Sequence, residues 1–158
     1  MRRPTINFSE WKLSVDLKET KEVQNQHGLP AFGCDCIDCS SWRRNYKSNL
    51  PDGLLNSFNR MGIDLDNPSD CYGGNDNLRV IFHLVGKIQS GPDSTIFNKK
   101  LNEYVMNYVP IRQQPWLSVM VLPARDSFQS RPKRMNGTDQ GVVRIDMRLS
   151  LVEGIESA

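Results

Sequence analysis

The chain lacks a long apolar run. Its longest apolar stretches, around residues 80–85 and 116–124, fall far short of the ~20 residues that a membrane-spanning helix requires. It also lacks a dominant charge: 20 Lys and Arg against 18 Asp and Glu leave +2, too weak a balance to draw in nucleic acid or an anionic membrane by charge alone. Histidine is scarce, with two in the whole chain. There is no G-x-S-x-G, no Walker loop, no H-E-x-x-H and no readable serine–histidine–acid set, so none of the common catalytic constellations is announced. Internal repeats and heptads are missing too, which excludes solenoids and long coiled coils.

What is present describes a folded chain of ordinary size. A hydrophobic share of 38% beside 24% charged residues, with a mean hydropathy of −0.52, is neither a disordered tail nor a membrane protein. A length of 158 residues suits one domain, which buries a sizeable core without disulfides. Arg2 and Arg3 imitate the basic start of a signal peptide, but Asn7, Ser9, Glu10 and Lys12 interrupt any apolar continuation. The expectation is a cytoplasmic protein whose thiols stay reduced.

Against that background the cysteines stand out. Three of the four fall in the hexapeptide Cys34-Asp35-Cys36-Ile37-Asp38-Cys39. In a reduced compartment, clustered cysteines bind metal or do redox chemistry more often than they form disulfides. C-x-C-x-x-C can bring three thiolates to one ion if the backbone turns, because successive side chains of an extended segment point apart. The expected ion is zinc. An iron–sulfur cluster, a redox dithiol and inert thiols are the alternatives. Cys71 ranks first as fourth ligand, since a four-thiolate shell is a common closed structural site, with His83 or His27 as alternatives. Arg43 and Arg44 offset the charge of Asp35 and Asp38, and Cys39 directly precedes an expected helix N-terminus, where the dipole favours thiolate.

Periodicity predicts an α+β fold with an antiparallel or mixed sheet of four to five strands and two to three helices grouped in the first half. Residues 10–17 alternate as a half-buried strand, with Trp11, Leu13, Val15 and Leu17 on one face. Residues 18–31 read as a polar loop ending in Gly28-Leu29-Pro30. A short helix is expected from Ser40 or Ser41 to about Lys47. A second starts at Pro51-Asp52 with the stripe Leu54, Leu55, Phe58 and Met61, and ends at Gly62. Residues 64–77 read as loop, giving a cysteine-rich region over 27–74.

Residues 78–88 read as a central strand, apolar on both faces. Segment 95–109 fits either helix or strand and leans to a helix capped by Ser94. Strands follow at 116–122 and 143–151, the latter with Val143, Ile145, Met147, Leu149 and Leu151 facing one way and Arg144, Asp146 and Arg148 the other. Between them, 125–141 is an expected mobile basic loop carrying Arg125, Arg131, Lys133 and Arg134.

Cys34, Cys36, Cys39 and Trp42, followed by Gly62-Ile63-Asp64, Pro68 and the strand Phe82-His83-Leu84-Val85-Gly86, resemble a group of small bacterial or phage proteins with such a cysteine cluster. The resemblance covers roughly residues 32–88. It implies a cytosolic protein and adds His83 to the candidate site, but supplies no activity. Cys71 stands outside that pattern, which strengthens His83 as its rival.

Bland readings compete at several positions. His83 suits a satisfied core-rim histidine, and His27 a solvated one. Asp64, Asp66, Asn67 and Asp70 lack the glycine and closing glutamate of a calcium loop and read as a capped turn. Trp11, Trp42 and Trp116 belong to apolar patterns. The leading function is a non-enzymatic zinc-binding protein with an unknown protein partner. A thiol-based redox or metal-dependent enzyme and a nucleic-acid module acting through the basic loop are the rivals. Nucleic acid and membrane are not expected as partners.

Overall fold

A computed structural model describes residues 3–24, 29–124 and 141–154. His27 and nearly all of the 125–141 loop, including its arginines and lysine, lie outside the described residues. The chain runs β1 (Thr5–Phe8), β2 (Trp11–Val15), α1 (Leu17–Gln24), α2 (Ile37–Asn49), α3 (Asp52–Arg60), β3 (Asp70–Tyr72), a 3-10 turn (Asn75–Asn77), β4 (Leu78–Ser90), β5 (Thr95–Asn98), β6 (Glu103–Met106), β7 (Val109–Gln113), β8 (Trp116–Pro123) and β9 (Val142–Leu149). This is α+β, with its described helices between residues 17 and 60.

The main sheet has seven strands rather than four to five. Its order is β1-β2-β4-β9-β8-β7, with β3 also on β4, while β5 and β6 form a separate ribbon. The described pairings are all antiparallel. The additional strands β1, β3 and β7 are short, at 4, 3 and 5 residues.

Strands β2, β4, β8 and β9 sit where alternation places them, except that β2 ends at Val15 and Leu17, expected on its buried face, is exposed and opens α1. So does α3, closed by Gly62 at φ 76°, a left-handed conformation that glycine adopts without a Cβ penalty. Four expectations about individual segments are corrected. Residues 18–31 are not all loop, because α1 occupies Leu17–Gln24. Its buried positions are Thr20, Val23 and Gln24, a helical spacing hidden because two of the three are polar. Helix α2 begins at Ile37, earlier than Ser40, and runs to Asn49.

Segment 95–109 holds no helix. It is the β5–β6 hairpin followed by the start of β7. Its turn is made by Asn98 Oδ1, which accepts from the N–H groups of Lys100 (3.0 Å) and Leu101 (3.1 Å), and by Asn102 at φ 52°. These local bonds favour the hairpin over the helical reading. Residues 64–77 also contain a strand, β3.

One face of the sheet carries the core. Leu78, Val80, Phe82 and Leu84 of β4 line up with Leu117, Val119 and Val121 of β8 and with Val143, Ile145, Met147 and Leu149 of β9. Helices α2 and α3 lie on this face. Phe82 meets Trp42 at 6.2 Å and Phe58 at 5.4 Å between ring centroids, and Phe58 meets Phe8 edge-on at 5.1 Å. Burying side chains of this size stabilises by roughly 1.5–3 kcal/mol each. The second face is also buried, through Ile81, His83, Val85, Met120, Leu122, Val142, Arg144 and Asp146.

Candidate metal centre

The cysteines are brought together by the way α2 starts. Gly33, at φ 67°, turns the chain into Cys34, whose N–H bonds back to the Ala31 carbonyl at 3.2 Å. Cys36 is the N-cap of α2, with extended backbone angles, and its Sγ accepts the Cys39 N–H at 3.4 Å. Cys34 Sγ accepts the Cys36 N–H at 3.5 Å. Cap and third helical residue face the same side, as in a capping box, so Cys36 and Cys39 converge and Cys34 folds onto them. The three Sγ atoms lie within 4.8 Å of one another. Around a tetrahedral zinc with bonds of about 2.3 Å, sulfurs stand roughly 3.8 Å apart, a separation inside that limit. This geometry is competent to hold a metal ion.

The electrostatics of the cluster are those of crowded thiols. Cys36 is exposed, and the Cys39 N–H and neighbouring thiols lower its pKa. Burial pushes Cys39 well up, reinforced by Cys36 and Cys34. Burial also raises Cys71 to about 12, with Asp38 and Cys36 adding to the effect. Crowded sulfurs resist ionising together, and a bound dication removes that resistance while releasing protons. All four cysteines are free thiols.

Cys71 is buried on β3, opposite Val80 of β4. Its Sγ lies 3.6 Å from the Asp38 carbonyl and beside the Cys39 thiol, outside the mutual spacing of the other three. Packing of α2 against β3 brings it there. His83 is not brought to the cysteines. Val80 faces the core and His83, three residues on, faces the opposite side of the sheet, where its Nδ1 meets Ser69 Oγ at 2.8 Å.

Arg43 has a role that spacing did not reveal. Its Nη1 donates to the Cys34 carbonyl, its Nη2 to Ala31 (3.2 Å) and its Nε to Asp66 (3.0 Å). It ties the cysteine turn and the 64–67 turn to α2 rather than serving as a diffuse counter-charge, whereas Arg44 is exposed. Asp64 is occupied locally, accepting the Asp66 N–H at 3.0 Å and the Asn67 amide at 2.9 Å, as a capped turn requires. Among the described residues this cysteine set is the one group of metal-ligating side chains so gathered, and no helix there is long and apolar enough to cross a membrane. No family model, curated protein or solved structure matches the chain.

Proposed function

We propose that the chain is a non-enzymatic, cytoplasmic zinc-binding protein in which Cys34, Cys36, Cys39 and Cys71 hold one structural zinc ion and a neighbouring surface serves a protein partner. The convergence of three thiols within 4.8 Å carries this reading. Cys71 completes a closed four-thiolate shell by a modest movement of β3 toward α2. The role is structural because the ion then joins the start of α2 to β3, adding a bond to the packing of those two elements. An apolar partner suits Ile37, which is 87% exposed within the cysteine hexapeptide itself.

The test is metal analysis and an ultraviolet–visible spectrum of protein purified under reducing conditions. The expected result is a colourless protein with about one zinc per chain, released by chelator with loss of order around the cysteines. Colour from an iron–sulfur cluster overturns zinc. Absence of stoichiometric metal, together with unchanged folding in chelator, overturns the reading as a whole. In that case the exposed Cys36, whose pKa is lowered, makes thiol chemistry the reading to pursue, and labelling at neutral pH would detect it.

A further inference from the structure

Apolar surface left uncovered is concentrated on the β5–β6 ribbon. Of the large apolar side chains exposed among the described residues, Ile96, Phe97, Leu101, Tyr104 and Met106 belong to it, while Leu17, Ile37 and Val152 are scattered elsewhere. Scattered ones need no explanation, but a contiguous set marks a surface that something covers. The register places Phe97 opposite Tyr104 and Thr95 opposite Met106. Directly opposed residues share a face, as do residues two apart on one strand. Phe97, Tyr104 and Met106 therefore form one continuous apolar face.

β5 also has a bare edge. Among the described residues it pairs with β6 alone, so its outer side has no strand beside it. Natural sheets blunt such edges with a charge, a proline or a bulge. Thr95-Ile96-Phe97-Asn98 has none of these and keeps an unbroken register with β6. Lipid would cover the apolar face, yet hydrocarbon cannot satisfy the backbone of an open edge. A further strand satisfies the edge and sets apolar side chains beside apolar side chains. The charges flanking β5 select that strand. Asp93 precedes it and Lys99 and Lys100 follow it, all exposed and in no ion pair among the described residues. Laid antiparallel on a copy of itself, β5 brings each Asp93 to the lysines of the other chain. Laid parallel, it would set lysines against lysines.

We propose that β5 pairs antiparallel with β5 of a second copy of this chain about a twofold axis, joining two ribbons into one four-stranded sheet. An axis normal to the ribbon keeps the faces on one side, so the two Phe97-Tyr104-Met106 faces become continuous. The contact is isologous and closes at two copies. Glu103 puts a charge on β6, the other outer strand, and opposes further addition there. Such a joint is small beside the roughly 800 Å² per partner of a standard interface, so the dimer is reversible, with a Kd of about 10–100 µM. The surface uses none of the cysteines, and its pairing does not depend on zinc.

The test is sedimentation equilibrium of the full chain in reducing buffer, which excludes disulfide-linked pairs, with hydrogen exchange read at several concentrations. A monomer–dimer equilibrium is expected, and amides of β5 should exchange fast in the dilute monomer and gain protection as the dimer fills. Ile96→Lys sets like charges near the axis and should weaken association at least about tenfold. Asp93→Lys should weaken it about tenfold, because each contact occurs twice, and adding Lys99→Asp and Lys100→Asp to it should restore association. These positions are exposed, so circular dichroism of each variant should match the wild type. Val152→Lys, at an exposed apolar residue outside the ribbon, should leave association unchanged. A chain still monomeric at about 1 mM, assembly continuing beyond two copies, a dimer that Ile96→Lys leaves intact, or a triple variant as weak as Asp93→Lys each overturns the proposal. So does a monomer that binds phosphatidylserine vesicles and loses them in Phe97→Ser, which assigns the face to lipid.

Discussion

Asp146 has no exposed surface and serves two guanidiniums, that of Arg144, buried, and that of Arg79, 15% exposed at its side chain. A buried carboxylate in this position holds its neighbours in place, because removing it strands their charge. Asp146→Asn should therefore lower unfolding stability by about 3–5 kcal/mol in urea titration, and a loss under about 1 kcal/mol would contradict the network described. Tyr46 offers a pH-dependent counterpart. It stacks on Trp42 at 5.3 Å. Burial, and then the neighbouring Asp66 and Asp64, push its phenol up to about 12 from the usual 10. The folded pKa lies above the unfolded one, so this contribution to stability is complete below pH 10 and is lost as pH rises through 12. Absorbance titration of the wild type against Tyr46→Phe should remove one phenol ionising near pH 12; removal of one ionising near 10 contradicts the burial argument.

At the scale of elements, the start of α2 combines two roles in one side chain. Cys36 caps the helix through Sγ and belongs to the thiol cluster. Serine caps well, whereas alanine does not. Cys36→Ser should keep the metal-free helix intact and Cys36→Ala should cost it about 0.5–2 kcal/mol, while both reduce zinc retention. Equal stability of the two metal-free variants would refute the capping role. The β5–β6 hairpin is the other element with a distinct fate. It belongs to no larger sheet, and Phe97 and Tyr104, in contact at 5.3 Å, are 48% and 71% exposed. A two-stranded ribbon is marginal by itself. Amides of residues 95–106 should exchange much faster than those of β4 and β9, and equal protection would mean that the ribbon is held by contacts of another kind.

Across the whole molecule, the sheet and the cysteine region differ in what holds them. The apolar face under α2 and α3 is built from large side chains with almost no exposure, and a chain of this size does not need a metal to fold. Chelation should leave the sheet signal in far-ultraviolet circular dichroism intact while hydrogen exchange accelerates over 31–41 and 64–74. Global unfolding on chelation would show instead that zinc holds the entire fold together.

Much of this could be read along the chain. Trp11, Leu13 and Val15, the long β4 run and the clean alternation of β9 report strands because each residue's face follows from a period of two. Leu54, Leu55 and Phe58 before Gly62 report α3 because its stripe is apolar and its stop is glycine. The gathering of Cys34, Cys36 and Cys39 was expected from their spacing within six residues, but the helix N-terminus that turns them together at Cys36 was placed too late, at Ser40 or Ser41. These features depend on backbone periodicity and capping, which are local.

What lay beyond reach depends on neighbours distant in sequence. Helix α1 hides because tertiary packing buries Thr20 and Gln24, polar residues that carry no stripe. The hairpin at 95–106 was ambiguous because helical and strand periods coincide there, and Asn98 decides it through a side-chain bond. Cys71 lies beside Cys39 only because β3 pairs with β4 and packs on α2. His83 falls on the far side of the sheet because strand register sends it there. Arg79, Arg148 and Asp146 meet only through the pairing of β4 with β9. Alternation assigns such residues to a face, but only the fold decides which face is buried and what stands opposite, since long-range pairing is set by the global packing of the chain.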